Sequence, residues 1–355
     1  MIRRFRIRNY RSLRHVEIAP AGLTVVTGGN GSGKSNLYRA LTLMAAAARG
    51  ALAPTMVEEG GMPSALWAGE WRKEERRKIL VEVESTAWSY SLALGLPPPP
   101  EGAFELDPWV KEEYLHGADG HLLLERKGPS ARLQAEGSRA RTAYSFALEP
   151  QEATLAQLRE PHLYPAVAAA QADMARWRFY HHFRTDGASP LRSPQVGTRT
   201  TVLAADGQDL APAIATLRAL GRAGPFDQAI AHAFPGAHVE IAHDGAQFSL
   251  FLKQHDIDRP LGARELSDGT LRYLCLATAL LSARPSPLMI LNEPDQSLHP
   301  DLMAPLARLI ETAAETSQIL VITHSADLAR HLTAAGAAAY ALDLAAGATV
   351  ATLRT

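Results

Sequence analysis

Apolar and polar residues alternate at the start of the chain, which is the pattern of strands that bury one face. Residues 2–8 and 15–18 are predicted to form a hairpin, and the apolar run Leu23–Gly28 a short buried strand. Helix-forming residues then fill Lys34–Arg49, and Gly50 is suited to end that helix. A glycine-rich loop is therefore expected between a strand and a helix.

The middle of the chain predicts strands first and helices later. Paired strands are expected in Ile79–Leu96 and His121–Gly137, and the proline run Pro97–Pro100 breaks the chain between them. Further predicted elements are a helix over about Thr154–Arg176 that is interrupted near Pro161 and Pro165, a turn-rich loop over Gly187–Thr200, helices at Leu210–Leu220 and Phe226–Phe234, and two strands within 238–254.

Helices and strands alternate in the final third. The predicted order is a helix at Thr270–Ala283, a strand at Leu288–Leu291, a helix at Asp301–Thr316, a strand at Gln318–Thr323 and a helix at Asp327–Ala335. Such alternation is typical of a parallel sheet that helices cover on both faces. The chain has no sustained heptad pattern, so no long coiled-coil arm is expected.

Charge adds one local feature to this picture. The 355 residues carry a formal net charge of −1, so no overall basic field points to nucleic acid. Six arginines nevertheless lie within the first fourteen residues, at Arg3, Arg4, Arg6, Arg8, Arg11 and Arg14. Two interpretations stay open for them: the charged outer face of an edge strand, or a stripe that contacts DNA.

Cysteine content and hydropathy indicate a cellular compartment. The single cysteine, Cys275, lies in an apolar helical run and leaves no internal disulfide to form. It is predicted to be a small buried residue of a protein in the reducing cytoplasm. No uninterrupted apolar run approaches the roughly eighteen residues of a membrane span, so no membrane partner is expected.

The glycine-rich loop has the composition of a phosphate cradle. In this phosphate loop, Gly28–Ser35 with the sequence GGNGSGKS, glycines let backbone N–H groups approach phosphate oxygens closely. Lys34 would add a positive charge near the β- and γ-phosphates, and the Ser35 hydroxyl a Mg²⁺ ligand. The alternative is a glycine turn that only caps a helix, and the strand and helix on either side favour the cradle.

Polar residues follow two neighbouring strands of the predicted parallel sheet. Asn292 and Glu293 come directly after Leu288–Leu291, and His324 ends the next strand. Ligands of α/β sheets bind at this carboxyl edge, where Glu293 could act as general base and position 292 could face hydrated Mg²⁺. Taken alone, each strand end has an ordinary structural explanation, and the shared edge favours the chemical one.

Phe179–Asp186 (FYHHFRTD) concentrates two histidines, an arginine and an aspartate. A metal or phosphate site is one interpretation. Strand-end residues that meet a surface loop are the other, which is favoured because adjacent histidines on a strand point to opposite faces.

Five motifs in order give the chain a family resemblance. They are NYRSL (Asn9–Leu13), the phosphate loop with the following Asn36 (GGNGSGKSN), LSDGTLR (Leu266–Arg272), NEPDQSLHP (Asn292–Pro300) and THS (Thr323–Ser325). This set resembles the ABC-type ATPase heads, and within them the RecF, OLD and chromosome-maintenance (SMC) branch, a group also described as AAA-family ATPases.

The resemblance implies a fold and a domain plan. The fold is an α/β P-loop NTPase of ABC-head type, with a mixed central sheet, helices on both faces, an antiparallel β subregion and a helical insert. Residues 1–355 would form one head with a core of 1–50 and 262–355. The insert 51–261 would contain antiparallel strands at about 79–148 and a helical lobe at about 152–235.

The resemblance also implies that two copies of the chain sandwich two ATP molecules with Mg²⁺. Lys34, Glu293 and His324 would be catalytic, with His324 as the γ-phosphate switch. Ser35 would bind Mg²⁺ directly and Asn292 through water. The expected nucleotide-binding residues are Arg11, Gly28, Gly29, Asn30, Gly31, Ser32, Gly33, Lys34, Ser35 and Asn36, with Asp295 in the loop between the sites and Ser267 and Gly269 supplied by the second copy. A Mg²⁺-contacting glutamine is also expected, with Gln151 and Gln195 as candidates.

Two departures from the family pattern matter. Asn292 stands where such heads carry aspartate, so the site loses a full negative charge. Weaker Mg²⁺ dependence or slower turnover is therefore expected, and not loss of ATP binding. All four asparagines of the chain, Asn9, Asn30, Asn36 and Asn292, lie in the motifs, which argues against chance. The short segment after His324 is expected to leave no room for the TOPRIM nuclease domain of OLD proteins.

Three functions follow. The first is a dimerising ATPase that acts on DNA in repair or genome defence, supported by the resemblance and the N-terminal arginines. The second is a slow ATP-binding switch that gates a separate effector protein. The third, a transporter's nucleotide-binding subunit, is disfavoured by the long gap between Gly33 and Leu266 and by the NYRSL opening.

Overall fold

The computed structural model describes residues 1–98, 104–255 and 257–354, so Pro99 and Pro100 of the proline run lie outside the described residues. Its packing divides the chain into two compact units. The first unit comprises Met1–Ala21, Val26–Trp177 and Ala338–Thr355, and the second comprises Gly22–Val25 and Arg178–Ala337. The division into a core of 1–50 and 262–355 and an insert of 51–261 stays a prediction.

The first unit is built largely from antiparallel strands. They are β1 (Ile2–Tyr10), β2 (Leu13–Ile18), β3 (Leu23–Gly28, whose first residues belong to the second unit), β4 (Lys78–Ser85), β5 (Trp88–Gly95), β6 (Trp109–Gly117), β7 (Leu122–Lys127), β8 (Ser130–Gln134), β9 (Arg141–Ala143) and the C-terminal hairpin β17 (Ala338–Ala345) and β18 (Ala348–Arg354). Within the described residues, eight of them form one sheet in the order β2-β1-β4-β5-β6-β7-β8-β9.

Helices complete the first unit and cover its apolar residues. They are α1 (Lys34–Arg49), α2 (Leu52–Glu58), α3 (Met62–Ala65), α4 (Thr154–Gln157) and α5 (Pro165–Ala175). Trp177 is fully buried, stacks on Trp88 at 6.3 Å between ring centroids and meets the ring of Phe5 edge-on at 6.1 Å. These aromatic contacts, each of about 1 kcal/mol beyond the apolar area they bury, fix β1 and β5 in one core.

The second unit contains the parallel strands. Its elements are β10 (Arg178–Tyr180), β11 (Gln195–Val196), α6 (Leu210–Ala219), α7 (Ala223–Ala233), β12 (His238–Asp244), β13 (Gln247–Lys253), β14 (Leu261–Gly262), α8 (Asp268–Leu280), β15 (Leu288–Asn292), α9 (Met303–Ala314), β16 (Gln318–Thr323) and α10 (Ala326–Ala334). Strand β15 pairs in parallel with both β10 and β16, while β11, β12, β13 and β14 form an antiparallel group.

Most elements predicted from periodicity are confirmed, and the failures have physical reasons. The prolines split the predicted helix of 154–176 into α4 and α5 as expected. Strand β6 was not predicted, because its inward-facing Glu113 is fully buried and breaks the apolar alternation. Hairpin β17–β18 was not predicted either, since its many alanines favour a helix over a strand. Its turn uses Ala346 and Gly347 at positive φ.

The edge-strand interpretation of the N-terminal arginines is wrong. Strand β1 pairs with β2 on one side and with β4 on the other, so it lies inside the sheet. The guanidinium of Arg4 lies 3.3 Å from Glu17 and 3.8 Å from Glu84, and that of Arg6 lies 2.8 Å from Glu17. Glutamates on both neighbouring strands therefore offset these charges, which weakens the alternative of a DNA-contacting stripe.

Cys275 is fully buried in α8, as predicted, and burial raises the pKa of its thiol. Because the thiolate is the reactive form, we expect a thiol reagent such as DTNB to modify Cys275 only after the protein unfolds. Following the 412 nm absorbance of about one released thiolate per chain, in buffer and in urea, checks this. Rapid modification of the native protein would contradict it.

No helix in the described part of the chain is long and apolar enough to cross a membrane.

Candidate functional site

The phosphate loop has the backbone geometry of an anion cradle. It leaves β3 at Gly28 and enters α1 at Lys34, with Gly33 as N-cap at φ 101° and Gly31 at φ 78°. Residues with a side chain rarely adopt such backbone angles, so glycine is required at both positions. The first turn of the sixteen-residue α1 contains no acidic side chain. Its free N–H groups and dipole are therefore available to an anion.

Lys34 is held over this loop. Its ammonium donates hydrogen bonds to the carbonyls of Gly28 at 2.7 Å and Gly29 at 2.9 Å, although the residue is only 6% exposed. An ammonium has three donors, so one remains for a ligand oxygen. Ser35 is exposed beside it, as are Gly29, Asn30 and Gly31.

Arg11 is engaged elsewhere in the first unit. It has a positive φ of 48°, and its guanidinium lies 2.6 Å from the carboxylate of Glu59 and donates to the Glu59 carbonyl at 3.1 Å. Arg39 lies 3.5 Å from the same carboxylate. The nucleotide contact predicted for Arg11 stays a prediction, and it requires this buried pair to open.

In the second unit, the ends of two strands bring Asn292, Glu293 and His324 together as expected. Asn292 pairs with Ile322 across β15 and β16, which places Glu293 and His324 at the same sheet edge. His324 Nδ1 lies 3.7 Å from Glu293 Oε1, and His324 Nε2 lies 4.0 Å from Asp295 Oδ2. We call Asn292, Glu293, Asp295 and His324 the acidic edge.

Backbone and side-chain bonds fix the acidic edge. Glu293 has a positive φ of 50° and donates its N–H to the Ile322 carbonyl at 2.7 Å. Thr323 donates its hydroxyl to Asp295 and accepts the Ser325 N–H at 2.9 Å. The strained backbone at Glu293 is thus held by the neighbouring strand, as is common where a side chain must point into a site.

Asn292 has a partner that the sequence did not reveal. Its Nδ2 donates to His181 Nδ1 at 2.9 Å, so this ring nitrogen is the acceptor. His181 follows β10, and only the parallel pairing of β10 with β15 brings it to the edge. Asn292 is 2% exposed, and its Oδ1 has no partner among the described residues. A buried, unsatisfied oxygen fits the role of accepting a hydrogen bond from Mg²⁺-bound water.

The signature motif forms the start of α8, where we call Leu266–Arg272 the signature loop. The Ser267 hydroxyl caps the helix by accepting the Thr270 N–H at 3.1 Å. A Cβ on Gly269 would lie 2.8 Å from the Ser297 carbonyl, so glycine is required there. Arg192, which sequence reasoning also missed, lies 2.6 Å from Asp268 and donates to the Leu266 carbonyl at 2.8 Å.

Arg272 joins this helix to the acidic edge. Its buried guanidinium donates to the carbonyls of His181 at 3.0 Å and Glu293 at 2.8 Å, and burial lowers its pKa. The candidate glutamine Gln195 is buried, and its amide accepts the Ala211 N–H at 2.9 Å and donates to the Leu191 carbonyl at 3.3 Å. A Mg²⁺ contact of Gln195 or Gln151 stays a prediction.

Arg272→Met is expected to lower the free energy of unfolding by about 3 kcal/mol, because two buried carbonyls lose a charged donor. Arg272→Lys should lose less, since an ammonium keeps the charge but not the forked geometry. Urea denaturation followed by circular dichroism measures both. Equal stability of Arg272→Met and wild type would show that these bonds contribute nothing.

Comparison with known proteins identifies the family of the chain. A family model matches residues 23–329, and its description is "AAA domain, putative AbiEii toxin, Type IV TA system". The chain belongs to this AAA domain family. No curated protein sequence matches the chain.

Solved structures show the fold of this AAA domain. An SMC head bound to the C-winged helix domain of ScpA matches with a TM-score of 0.58 and 14% identity, over 100% of this chain and 98% of that chain. An SMC head with an extended coiled coil, bound to the C-terminal domain of ScpA and derived from Pyrococcus furiosus, matches with a TM-score of 0.54 and 13% identity, over 100% and 96%. An SMC head with a coiled coil and joint from Pyrococcus yayanosii gives 0.54 and 11%, over 100% and 97%.

These likenesses confirm the predicted fold class. The AAA domain is an α/β P-loop NTPase with the fold of an ABC-type ATPase head, as the five motifs implied. Membership of this family implies that the chain binds a nucleotide. The roles of individual residues stay predictions.

Proposed function

We propose that this AAA domain binds ATP with Mg²⁺ and hydrolyses it within a dimer of two copies. The observation that carries the proposal is the acidic edge, where Glu293 and His324 lie 3.7 Å apart at the ends of adjacent parallel strands. A carboxylate beside an imidazole at the carboxyl edge of such strands is the arrangement that general-base hydrolysis needs.

The phosphate loop would hold the triphosphate. The N–H groups of Gly31 and Gly33 and the ammonium of Lys34 would bind phosphate oxygens. Ser35 would bind Mg²⁺ through its hydroxyl and Asn292 through a water. When bound, Mg²⁺ neutralises charge that develops on the phosphoryl oxygens.

Glu293 would take the proton of the attacking water. Its side chain is about one quarter exposed, so water reaches it, and its backbone is fixed by β16. His324 has one ring nitrogen 3.7 Å from Glu293 Oε1 and the other 4.0 Å from Asp295 Oδ2, so rotation of the ring would carry a ring N–H from a carboxylate to a phosphate oxygen. The imidazole would thus sense the γ-phosphate.

The signature loop supports the dimer. Ser267 caps the thirteen-residue helix α8, and the N-terminus of this helix is exposed. Helix N-termini of this kind bind anions. In the proposed assembly, Ser267 and the N–H groups near Gly269 bind the γ-phosphate held by the other copy. Each nucleotide would then contact both subunits and hold them together.

Size-exclusion chromatography with light scattering tests this assembly, with and without ATP and Mg²⁺. The wild type should shift from monomer toward dimer only with ATP, and Glu293→Gln, which would bind without hydrolysing, should shift more completely. A mass of one chain for both proteins in saturating ATP would contradict the sandwich.

We further propose a role in DNA repair or genome defence. The family description, which names a toxin of a toxin–antitoxin system, supports the defence part. ATP turnover that rises with added duplex DNA, and loses this response steeply as salt increases, would support contact with DNA. If added DNA does not change ATP turnover at low salt, contact with DNA is contradicted, and a defence role would require a different target.

Asn292 favours a second candidate, a slow switch that gates a separate effector. A neutral amide that donates to His181 leaves the edge one negative charge short of an aspartate. Asn292→Asp is therefore expected to raise turnover and to lower the Mg²⁺ concentration for half-maximal rate, each about tenfold. Steady-state rates over a Mg²⁺ titration measure this, with Asn292→Ala as the control that lacks the oxygen. Unchanged kinetics in Asn292→Asp would remove the argument for a slowed site.

A further inference from the structure

Thr349 lies in the C-terminal strand β18, outside every motif of the sequence. It is 1% exposed, yet its side chain carries a hydroxyl. Burying a hydroxyl is unfavourable unless it is hydrogen-bonded, and this one donates to the Ser32 carbonyl in the phosphate loop at 2.9 Å. A residue far away in sequence thus contacts the backbone of the loop directly.

Side chains beneath the loop form a chain of hydrogen bonds that all run in one direction. Asn36 Nδ2 donates to Ser12 Oγ at 2.9 Å, and Ser12 Oγ lies 2.8 Å from Thr349 Oγ1. Since the Thr349 proton goes to Ser32, the Ser12 hydroxyl must be the donor to Thr349. We call Asn36, Ser12, Thr349 and Ser32 the hydroxyl relay. The Thr349 N–H also donates to the Ser12 carbonyl at 2.8 Å, so the backbone fixes the relay as well.

The bond to Ser32 sets the direction of a neighbouring donor. A trans peptide is planar, and its C=O and N–H point in opposite directions. When Thr349 holds the Ser32 carbonyl from beneath, the N–H of the same peptide unit, that of Gly33, must face the other side of the loop. A hydrogen bond at the carbonyl also polarises the peptide and strengthens that N–H as a donor.

The space beside Gly33 cannot hold a side chain. Its φ is 101°, and a Cβ built on it would collide with Thr349 Oγ1 and lie 2.9 Å from Ser12 Oγ. The relay therefore occupies the space that a side chain at position 33 would need. Glycine at this position serves the contact beneath the loop as well as the turn.

We propose that Thr349 is a positioning residue of the phosphate loop, which orients the Gly33 N–H toward the nucleotide phosphates through the Ser32 carbonyl. The inference rests on the proposed function, because it assigns this N–H a phosphate to bind. It gives hairpin β17–β18 a role in the chemistry, although no sequence motif marks it.

Two substitutions separate the role of the hydroxyl from that of the methyl group. Thr349→Val removes the hydroxyl and keeps the shape, whereas Thr349→Ser keeps the hydroxyl. The matched control is Thr352→Val, the same change at an exposed position of the same strand. Kd for a fluorescent ATP analogue and for ATP in competition is measured with Mg²⁺ below the melting temperature of every variant.

Thr349→Val should raise Kd for ATP about tenfold, while Thr349→Ser and Thr352→Val stay within about twofold of wild type. A purely structural role would lower the melting temperature and leave Kd of the folded protein unchanged, which would overturn the inference alone. Absence of ATP binding by wild type would overturn the proposed function and this inference with it. If Thr349→Val does not fold, Thr349→Ala against Thr349→Ser makes the same comparison, and equal Kd values for that pair would again overturn it.

Discussion

Glu293→Gln is expected to lower ATP turnover by a factor of about 10²–10⁴, the usual contribution of a general base. Glutamine has nearly the same shape but accepts no proton from water. The Glu293 N–H bond to Ile322 and the Glu293 carbonyl bond from Arg272 involve only the backbone, so the substitution should leave both intact. Kd for ATP should therefore stay within about threefold of wild type, since the phosphate loop is untouched.

Single-turnover hydrolysis of radiolabelled ATP measures the chemical step directly. Glu311→Gln makes the same change at an exposed position of α9 and should turn over ATP at the wild-type rate. Wild-type turnover in Glu293→Gln would remove Glu293 from the chemistry and leave the acidic edge without its base.

Lys34→Met is expected to weaken ATP binding by about two orders of magnitude or more. The change keeps the length of the side chain and removes the buried charge that would face the phosphates. It also removes the donor to the Gly28 and Gly29 carbonyls, which hold the ammonium in place. Loss of binding in this variant should abolish turnover as a consequence.

Isothermal titration with ATP and Mg²⁺ checks this second expectation. Lys73→Met, at an exposed position of the same unit, is the control and should bind as wild type does. Circular dichroism establishes that Lys34→Met is folded before it is titrated. Tight binding by Lys34→Met would mean that the nucleotide lies elsewhere.

The sequence predicted the parts of the fold whose pattern is local. The phosphate loop is bounded as expected by β3 and α1, and Gly50 ends α1 in the left-handed conformation at φ 70°. The parallel strands were predicted because β15 and β16 are short apolar runs between clear helices. The proximity of Glu293 and His324 followed from parallel strands sharing an edge, without any knowledge of side-chain contacts.

Residues whose role depends on tertiary pairing could not be predicted. His181 reaches Asn292 only because β10 pairs with β15, and the two residues are 111 positions apart. Thr349 reaches the phosphate loop across 317 positions. Glu113, a charged residue of the unpredicted strand β6, accepts hydrogen bonds from Tyr90 and the Thr154 N–H in the interior. Periodicity reports which face is buried, and not which distant polar group will satisfy it.

In the proposed dimer each site is completed by a second copy of the chain, and mixing two inactive variants tests this directly. Lys34→Met disables the phosphate loop. Ser267→Asp keeps a good N-cap for α8 but sets a carboxylate against phosphate, and Ser267→Asn, which caps without charge, is its control.

Each variant alone should be inactive, because both sites of its dimer contain the lesion. A dimer that pairs the two variants has one site with an intact loop and an intact signature serine, and a second site that carries both lesions. Mixing is therefore expected to restore turnover, to about one quarter of the wild-type rate where half of the dimers are mixed and the two sites act independently. Turnover that stays at the level of the separate variants, under conditions where light scattering shows mixed dimers, would contradict it.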